Sequence, residues 1–297
     1  MSNYINKIIE ESLAIETEAA KEAGALGFMS RSLVQATLPH RNPKKDTQAW
    51  GRENGYFSLI IQPGYIKKNN EYISLGFPYG SIPRLLLAWM TTEAVRTKDK
   101  TLILGHSLSE FMRKLDLIPT GGRWGSITRL REQMQRLLAA KISCTYSDQE
   151  KMGIQNISIA DQAILWWTPQ KPEQTVLWES VIELSDKFFN DIIQHPVPID
   201  MRALKALKQS PMALDTYCWL TYRMSYLKVK TQIPWQYLQT QFGCSYADTR
   251  QGKQGFKRNF TKQLRAVLVI YPEAKIENGD YGLILKPSKP HILPKSE

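Results

Sequence analysis

Histidine and cysteine are scarce. The 297 residues include four histidines and three cysteines. His40, His106, His195 and His291 stand far apart, with no His-x-His or His-x-x-x-His spacing, so no metal-ligand set is expected. Cys144, Cys218 and Cys244 form no Cys-x-x-Cys pair and are odd in number. They read as reduced and mostly buried thiols, and a disulfide framework is excluded. Long apolar runs are also missing: none approaches the ~18–20 residues of a membrane helix. The first residues, MSNYINKIIEESLAIETEAAKEAG, are acidic and amphipathic and carry no signal-peptide pattern, so a cytoplasmic chain is expected.

The motifs of common catalysts are absent as well. The glycine turn in LIPTGGRWGSITRLREQMQRLL (117–138) has no lysine where a phosphate-cradling G-x-x-x-x-G-K-[ST] loop requires one, and no G-x-G-x-x-G or G-x-S-x-G appears. A nicking enzyme needs a histidine cluster beside a reactive tyrosine, and the thirteen tyrosines have no such cluster near them. No catalytic residue, cofactor or metal is therefore assigned, and the expected mechanism is binding rather than catalysis.

Acidic residues fall short of basic ones, 28 against 39, for a formal charge of +11 and a pI near 9.4. Such a balance suits a polyanionic partner, nucleic acid or less often an anionic membrane surface, or otherwise a solvated basic surface. At 42% hydrophobic the chain has material for a sizeable core. Its length fits two domains of ~150 residues each.

Along the chain, residues 3–22 fit an amphipathic helix with Ile5, Ile8, Ile9 and Leu13 on one stripe. The following stretch, with Pro39, Pro43 and the basic run His40-Arg41-Asn42-Pro43-Lys44-Lys45, has linker composition, so irregular backbone is expected there. GYFSLII (55–61) reads as a strand. Next come a helix in SIPRLLLAWMTTEAVRT (81–97), a short strand TLILG (101–105), and a short helix SLSEFMRKLDL with the Ser107/Glu110 capping pattern. After the glycine turn a long helix runs from about Ser126 to Lys141. ISCTY (142–146), a polar turn SDQEKMG and IQNISIADQAILWW then read as a hairpin. Helix, strand, helix, turn, longer helix, hairpin is the order of a winged helix.

The order recurs: a helix in 210–227, a strand KTQI (230–233), a short helix PWQYLQTQFG (234–243), a loop YADTRQGKQG, a long helix 256–270 and a hairpin AKIENGDYGLILK with Asn278-Gly279 as a type I′ turn signal. Pro83 and Leu108 are 25 residues apart, Pro211 and Trp235 are 24, which supports a duplication of pattern. The expected fold is mostly α with β wings (α+β): tandem duplicated winged-helix domains at 50–195 and 196–297, after an N-terminal extension and basic linker at 1–49.

Two faces are candidates for DNA. In the first long helix Ile127, Leu130, Met134, Leu137 and Leu138 make the buried stripe, and Thr128, Arg129, Glu132, Gln135 and Arg136 lie opposite. Thr128 and Arg129, near the N-terminal end, are the base-reading candidates; Arg123, Ser126 and the first backbone N–H groups are placed for phosphate, while Arg136 is able to pair with Glu132. The alternative is a plain surface helix with solvated arginines. In the second long helix region Arg250, Lys253, Lys257, Arg258, Lys262 and Arg265 occur without one acid between them. Arg258, Lys262 and Arg265, with Gln254 and Thr261 beside them, project opposite Phe256, Phe260, Leu264 and Val267, an arrangement explained by phosphate neutralisation. Lys275 and Lys286 flank the second hairpin and suit a wing on the backbone or in the minor groove. The two helices are expected in successive major grooves, ~34 Å apart. Trp166-Trp167 reads as core or interface packing before a stacking platform for single strands.

PYGSIPRLLLAWMTTEAVRTK and LSEFMRKLDLIPTGGRWGSITRLREQMQRLL resemble the plasmid-encoded RepA replication initiators, the RepA C-terminal family. The similarity is dense over residues 77–140, continues through WESVIELSDKFF (178–189) and runs to about residue 290. The resemblance implies a replication initiator that binds repeated origin DNA (iterons), helps open an AT-rich region, recruits host replication proteins (initiator, helicase or loader) and represses its own promoter as a homodimer. The alternatives are a winged-helix repressor without an initiator role, an interaction scaffold for acidic proteins and, less in keeping with the sequence, a nicking enzyme.

Overall fold

The computed structural model describes residues 2–147, 152–166 and 180–292, with side chains from residue 6 onward. The middle of the expected polar turn (148–151), Trp167 and the Trp178-Glu179 pair lie outside the described residues. The chain divides into two compact units. A middle unit takes Leu38–Gly51 and Leu59–Pro196; a C-terminal unit takes Met1–Thr37, Arg52–Ser58 and Val197–Glu297.

The first elements are α1 (Ser2–Thr17), β1 (Leu26–Ser30) and α2 (Arg31–Gln35), then a hairpin of β2 (Trp50–Asn54) and β3 (Phe57–Gln62), the expected GYFSLII strand. A second hairpin pairs β4 (Tyr65–Lys68) with β5 (Glu71–Ser74).

The middle unit continues with α3 (Ser81–Thr97), β6 (Thr101–Gly105), α4 (Leu108–Lys114) and α5 (Ser126–Ala139). Leu85 to Met90 of α3 are all buried, as an all-apolar run demands. Trp89 of α3 meets Phe111 of α4 edge-on, centroids 4.9 Å apart. The buried Arg84 donates to the carbonyls of Leu38 (2.6 Å), Pro39 (3.3 Å) and Gly80 (2.7 Å), fastening the start of this unit to α3. Ser107 caps α4 as expected, but Glu110 accepts from the N–H of His106 rather than from the cap residue.

After α5 come β7 (Lys141–Ser147), β8 (Met152–Ser158), β9 (Ala160–Ile164), β10 (Ser180–Leu184) and α6 (Asp186–Gln194). β7 and β8 do form the expected hairpin. That hairpin is not the wing, however: it extends a separate sheet of order β2-β3-β7-β8, while β6 pairs with β10 and β10 with β9. The order β6-β10-β9 makes β9 and β10 the wing pair, with β7 and β8 inserted before them. Alternation explains the choice: Ile142 and Cys144 of β7 are buried, as are Ile182 and Leu184 of β10, so each strand has its own core to face. Burial pushes the Cys144 thiol up to about 12, which leaves it unreactive. Cys218 is buried too, but Cys244 is exposed, against expectation.

The C-terminal unit adds β11 (Pro196–Asp200), α7 (Met201–Leu207), α8 (Pro211–Tyr226), β12 (Thr231–Pro234), α9 (Trp235–Phe242), α10 (Arg250–Ile270), β13 (Ile276–Asn278) and β14 (Gly282–Leu285). Its three-stranded sheet runs β12-β14-β13, the same first-third-second order as in the middle unit. Within each unit the same set recurs, α3-β6-α4-α5 with the wing β9-β10 and α8-β12-α9-α10 with the wing β13-β14, a duplicated winged helix. The core is aromatic: Phe242 lies 5.4 Å from both Trp219 and Phe260, and Phe256 lies 5.5 Å from Phe260.

Residues 36–49 carry no helix or strand, the irregular backbone expected of the linker, but the segment before them is no free extension and packs into the C-terminal unit. β1 pairs with β11, and α1 packs on α7 and α10. Ser12 donates to the Val269 carbonyl (2.8 Å), and Arg202, held by Asp200 (2.7 Å), donates to the carbonyls of Ala14 and Glu18 (both 2.9 Å) at the end of α1. Of the expected stripe Ile8 is buried, whereas Ile9 and Leu13 are exposed; Ser12 takes the inner position instead. The second hairpin also departs from expectation. Neither Asn278 nor Gly279 adopts positive φ, and the Gly279 N–H donates to Gly282 O (2.9 Å), so Asp280 and Tyr281 form the tip.

Two buried polar contacts set testable limits on this unit. Asp215 accepts from Thr37 (3.1 Å) and pairs with Arg52 (3.6 Å). Asp215→Ala strands the buried guanidinium and is expected to cost about 3–5 kcal/mol in denaturant unfolding. The Tyr217 hydroxyl lies 2.8 Å from His291 Nδ1 and also accepts from the Asp200 N–H (2.9 Å). Burial pushes the His291 pKa below its ordinary value, outweighing Asp200 and Glu273. The unfolded chain then binds the extra proton first as pH falls below about 6.5, and stability declines from there until the folded ring protonates. Between pH 7 and 5 the unfolding midpoint of the unaltered chain is expected to fall further than that of His291→Gln.

Candidate nucleic-acid interface

α10 begins six residues before its expected start, at Arg250, with Thr249 as N-cap accepting from the Gly252 N–H (3.1 Å). Gly252 and Gly255 look like loop residues in the sequence. At Gly252 a side chain has no room: a Cβ there meets the Ala247 carbonyl at 2.0 Å. The glycine lets the preceding segment fold against the first helical turn.

The helix buries Phe256, Phe260, Leu264, Val267 and Ile270. At 100° per residue the opposite line runs through Gln254, Arg258, Thr261, Lys262 and Arg265. Gln254, Arg258, Lys262 and Arg265 are exposed and Thr261 is half-buried. The other basic residues differ. Arg250 is exposed at the helix start. Lys253 pairs with Asp248 (2.8 Å), off the line. Lys257 is half-buried, its ammonium 4.8 Å from the Trp235 ring centroid. Gln251, also exposed, lies on the same face; it was missed because its segment read as loop.

Trp235 ties the wing to this helix. Its backbone N–H donates to Tyr281 O (3.1 Å) and its indole N–H to Gly279 O (3.2 Å), while its ring receives Lys257. The wing tip carries Tyr281, 83% exposed. At the wing base Lys275 is exposed and Lys286 is paired with Glu277, whose pKa is lowered chiefly by that hydrogen bond.

The turn before α5 has a different character. Ser126 is buried: its hydroxyl donates to Ile118 O (2.6 Å) and accepts from the Thr120 N–H (2.9 Å). The N–H groups of Ser126 and Ile127 donate to Thr120 Oγ1 (2.9 Å) and Thr120 O (3.3 Å). Neither Ser126 nor these first N–H groups faces a phosphate, contrary to expectation. Thr128 donates to Gly122 O (2.9 Å) and is half-buried. Arg136 also turns inward, 5.4 Å from the Tyr79 ring centroid and 4.0 Å from Glu132. Arg123 and Arg129 remain exposed, joined by Arg131, which was not anticipated. Leu138 is only half-buried, and Gln133 is buried in its stead, accepting from the Tyr79 N–H (2.8 Å).

Among the described residues, no cluster of His, Cys, Asp and Glu is arranged to hold a metal ion, and no helix is long and apolar enough to cross a membrane.

No curated protein matches this chain. Among solved structures, domains 2 and 3 of RctB superpose with a TM-score of 0.50 at 10% identity, over 85% of this chain and 94% of that one, a likeness of fold. The family model described as plasmid-encoded RepA protein matches residues 77–237, from the start of the middle winged helix into α9. Matched over more than half its length, the chain belongs to the family of plasmid-encoded RepA proteins.

Proposed function

We propose that the protein is a plasmid replication initiator that binds repeated origin DNA sequence-specifically, helps open the origin and recruits host replication proteins. Its role is binding, without a catalytic step of its own. The observation that carries this is the outer line of α10: Arg258, Lys262 and Arg265 exposed with Gln254 and Thr261, opposite a fully buried apolar face. α10 contains six basic residues and no acid. One-signed charge on a surface repels itself, and DNA phosphate relieves it. That helix lies outside the family match, so its charge is evidence from this chain alone. Autoregulation of its own promoter, as a dimer, belongs to the same proposal.

The groups assigned to DNA are Arg250, Gln254, Arg258, Thr261, Lys262 and Arg265 on α10, Lys275 at the wing base, and Arg123 and Arg129 of the middle unit. Footprinting of the full chain on DNA flanking its coding sequence tests the assignment, with protection of repeats as the expected result. A companion assay supplies the chain in trans to a plasmid bearing only that flanking DNA; maintenance of the plasmid is expected of an initiator, and failure of maintenance with intact repression marks a repressor. If ~six to ten phosphates are neutralised, log K falls against log salt with a slope of roughly −5 to −9. Arg258→Ala with Lys262→Ala is expected to weaken binding and flatten that slope by about two; unchanged binding removes α10 from the interface. Arg129→Ala is expected to cost about 1–3 kcal/mol at particular base pairs only, and an equal loss on all sequences makes it a phosphate contact.

A further inference from the structure

The turn from Ile118 to Gly125 is closed by its own hydrogen bonds. Thr120, Ser126 and Thr128 satisfy one another and the carbonyls of Ile118 and Gly122, and the Gly125 N–H donates to Gly122 O (3.1 Å). Gly122 takes φ +86°, and a Cβ at Gly125 meets the Thr120 carbonyl at 2.2 Å, so two glycines are needed to wind the chain this tightly. With the polar groups turned inward, the turn shows water two large apolar side chains. Ile118 is 79% exposed and Trp124 is 78% exposed. The Arg123 guanidinium lies 5.1 Å from the Trp124 ring centroid.

A single exposed apolar residue is ordinary on a protein surface. Here two sit on one rigid turn, where little conformational entropy remains to be lost on contact. The electrostatic setting selects the partner. Between Asp116 and Glu132 there are three arginines and no acid, and Arg123, Arg129 and Arg131 are all exposed. A flat indole with cationic neighbours matches a nucleobase next to its phosphates: the ring supplies a stacking face, and the guanidinium supplies charge and a second planar surface. Apolar side chains that enter a base step from a cationic surface unstack it and kink the duplex.

We propose that Trp124 stacks on a nucleobase at a partly unstacked step of bound duplex DNA, with Ile118 extending the apolar surface and Arg123 on the adjacent phosphate. This rests on the DNA-binding role argued above and adds to it a deforming contact made by the middle unit. Single thymines exposed by unstacking react with permanganate, which gives a direct readout. The probe is the flanking-DNA fragment used for footprinting, and the protein is the full chain. The unaltered chain is expected to raise thymine reactivity several-fold at one or two positions in or beside the protected site. Trp124→Ala is expected to abolish that reactivity and weaken binding roughly ten-fold while protecting the same region, and Trp124→Phe is expected to retain most of both. Arg258→Ala with Lys262→Ala is expected to lower affinity without moving the reactive thymines. Trp124→Ala with unchanged affinity and unchanged reactivity overturns the inference, leaves the α10 assignment standing and turns the search to a protein partner for this turn. Absence of any protection by the unaltered chain removes both.

Discussion

The C-terminal unit depends on one buried ion pair. Arg52 and Asp215 have side chains 1% and 5% exposed, and taking two such charges out of water is costly unless their remaining hydrogen-bonding groups are satisfied. Here most of them are, the buried Arg52 Nε excepted. Thr37 donates to Asp215, Arg52 donates to the Gln241 carbonyl (3.0 Å), and the Gln241 amide donates to Gln35 O (2.8 Å). Four stretches distant in sequence meet at this point. Gln241 sits in the last turn of α9, next to Phe242, which packs on Phe260 of α10. The pair therefore bears on which face of α10 is buried, and so on which face carries Arg258 and Lys262 to the solvent.

The two third helices occupy equivalent places in the duplicated pattern and are presented differently. α10 starts from a side-chain cap and shows a line of cations, with Lys253 and Lys257 drawn aside to Asp248 and Trp235. α5 starts from a glycine whose flanking turn satisfies the helix's first N–H groups internally. A helix N-terminus with its N–H groups already bonded is a poor anion site. The middle unit is thus not a second copy of the same interface. Its outward chemistry is an indole and arginines, where the C-terminal unit's is a row of charges with a tyrosine at the wing tip.

Much of the fold was legible because α5 and α10 have strong apolar periodicity, because α3 and α8 are apolar nearly all round, and because Ser107, Gly243 and the short strands punctuate them in the same order twice. In the first 37 residues the helix α1 was legible, but their attachment to the C-terminal unit was not. Their attachment is made by Arg202 and Ser12 reaching backbone carbonyls, and side-chain-to-carbonyl bonds across some 190 and 257 positions leave no local pattern. The wing of the middle unit was misplaced for a related reason. β8 and β9 read as one arm of a single hairpin with β7, β10 was not read as a strand, and only the partner strands, β3 for β7 and β6 for β10, separate the two sheets. On α10 the exposed line of Arg258, Lys262 and Arg265 was readable from charge and angle. Ser126 and Arg136 were not, because both belong to polar residue types that the sequence assigns to solvent, yet both find partners inside.

This difference in chemistry has a consequence for how the two units respond to their surroundings. Cation–phosphate attraction is released with counterions and weakens steeply with salt, whereas stacking of an indole on a base is nearly indifferent to it. A chain with only the α10 face would lose its hold as ionic strength rises and would read little beyond charge. A chain with only the Trp124 turn would have no long-range attraction to bring it to DNA. On the proposed function both surfaces belong to one polypeptide, so DNA held by the charged face meets the apolar turn in an intramolecular event. The duplication then lets one winged helix hold the duplex while the other works on its base stack.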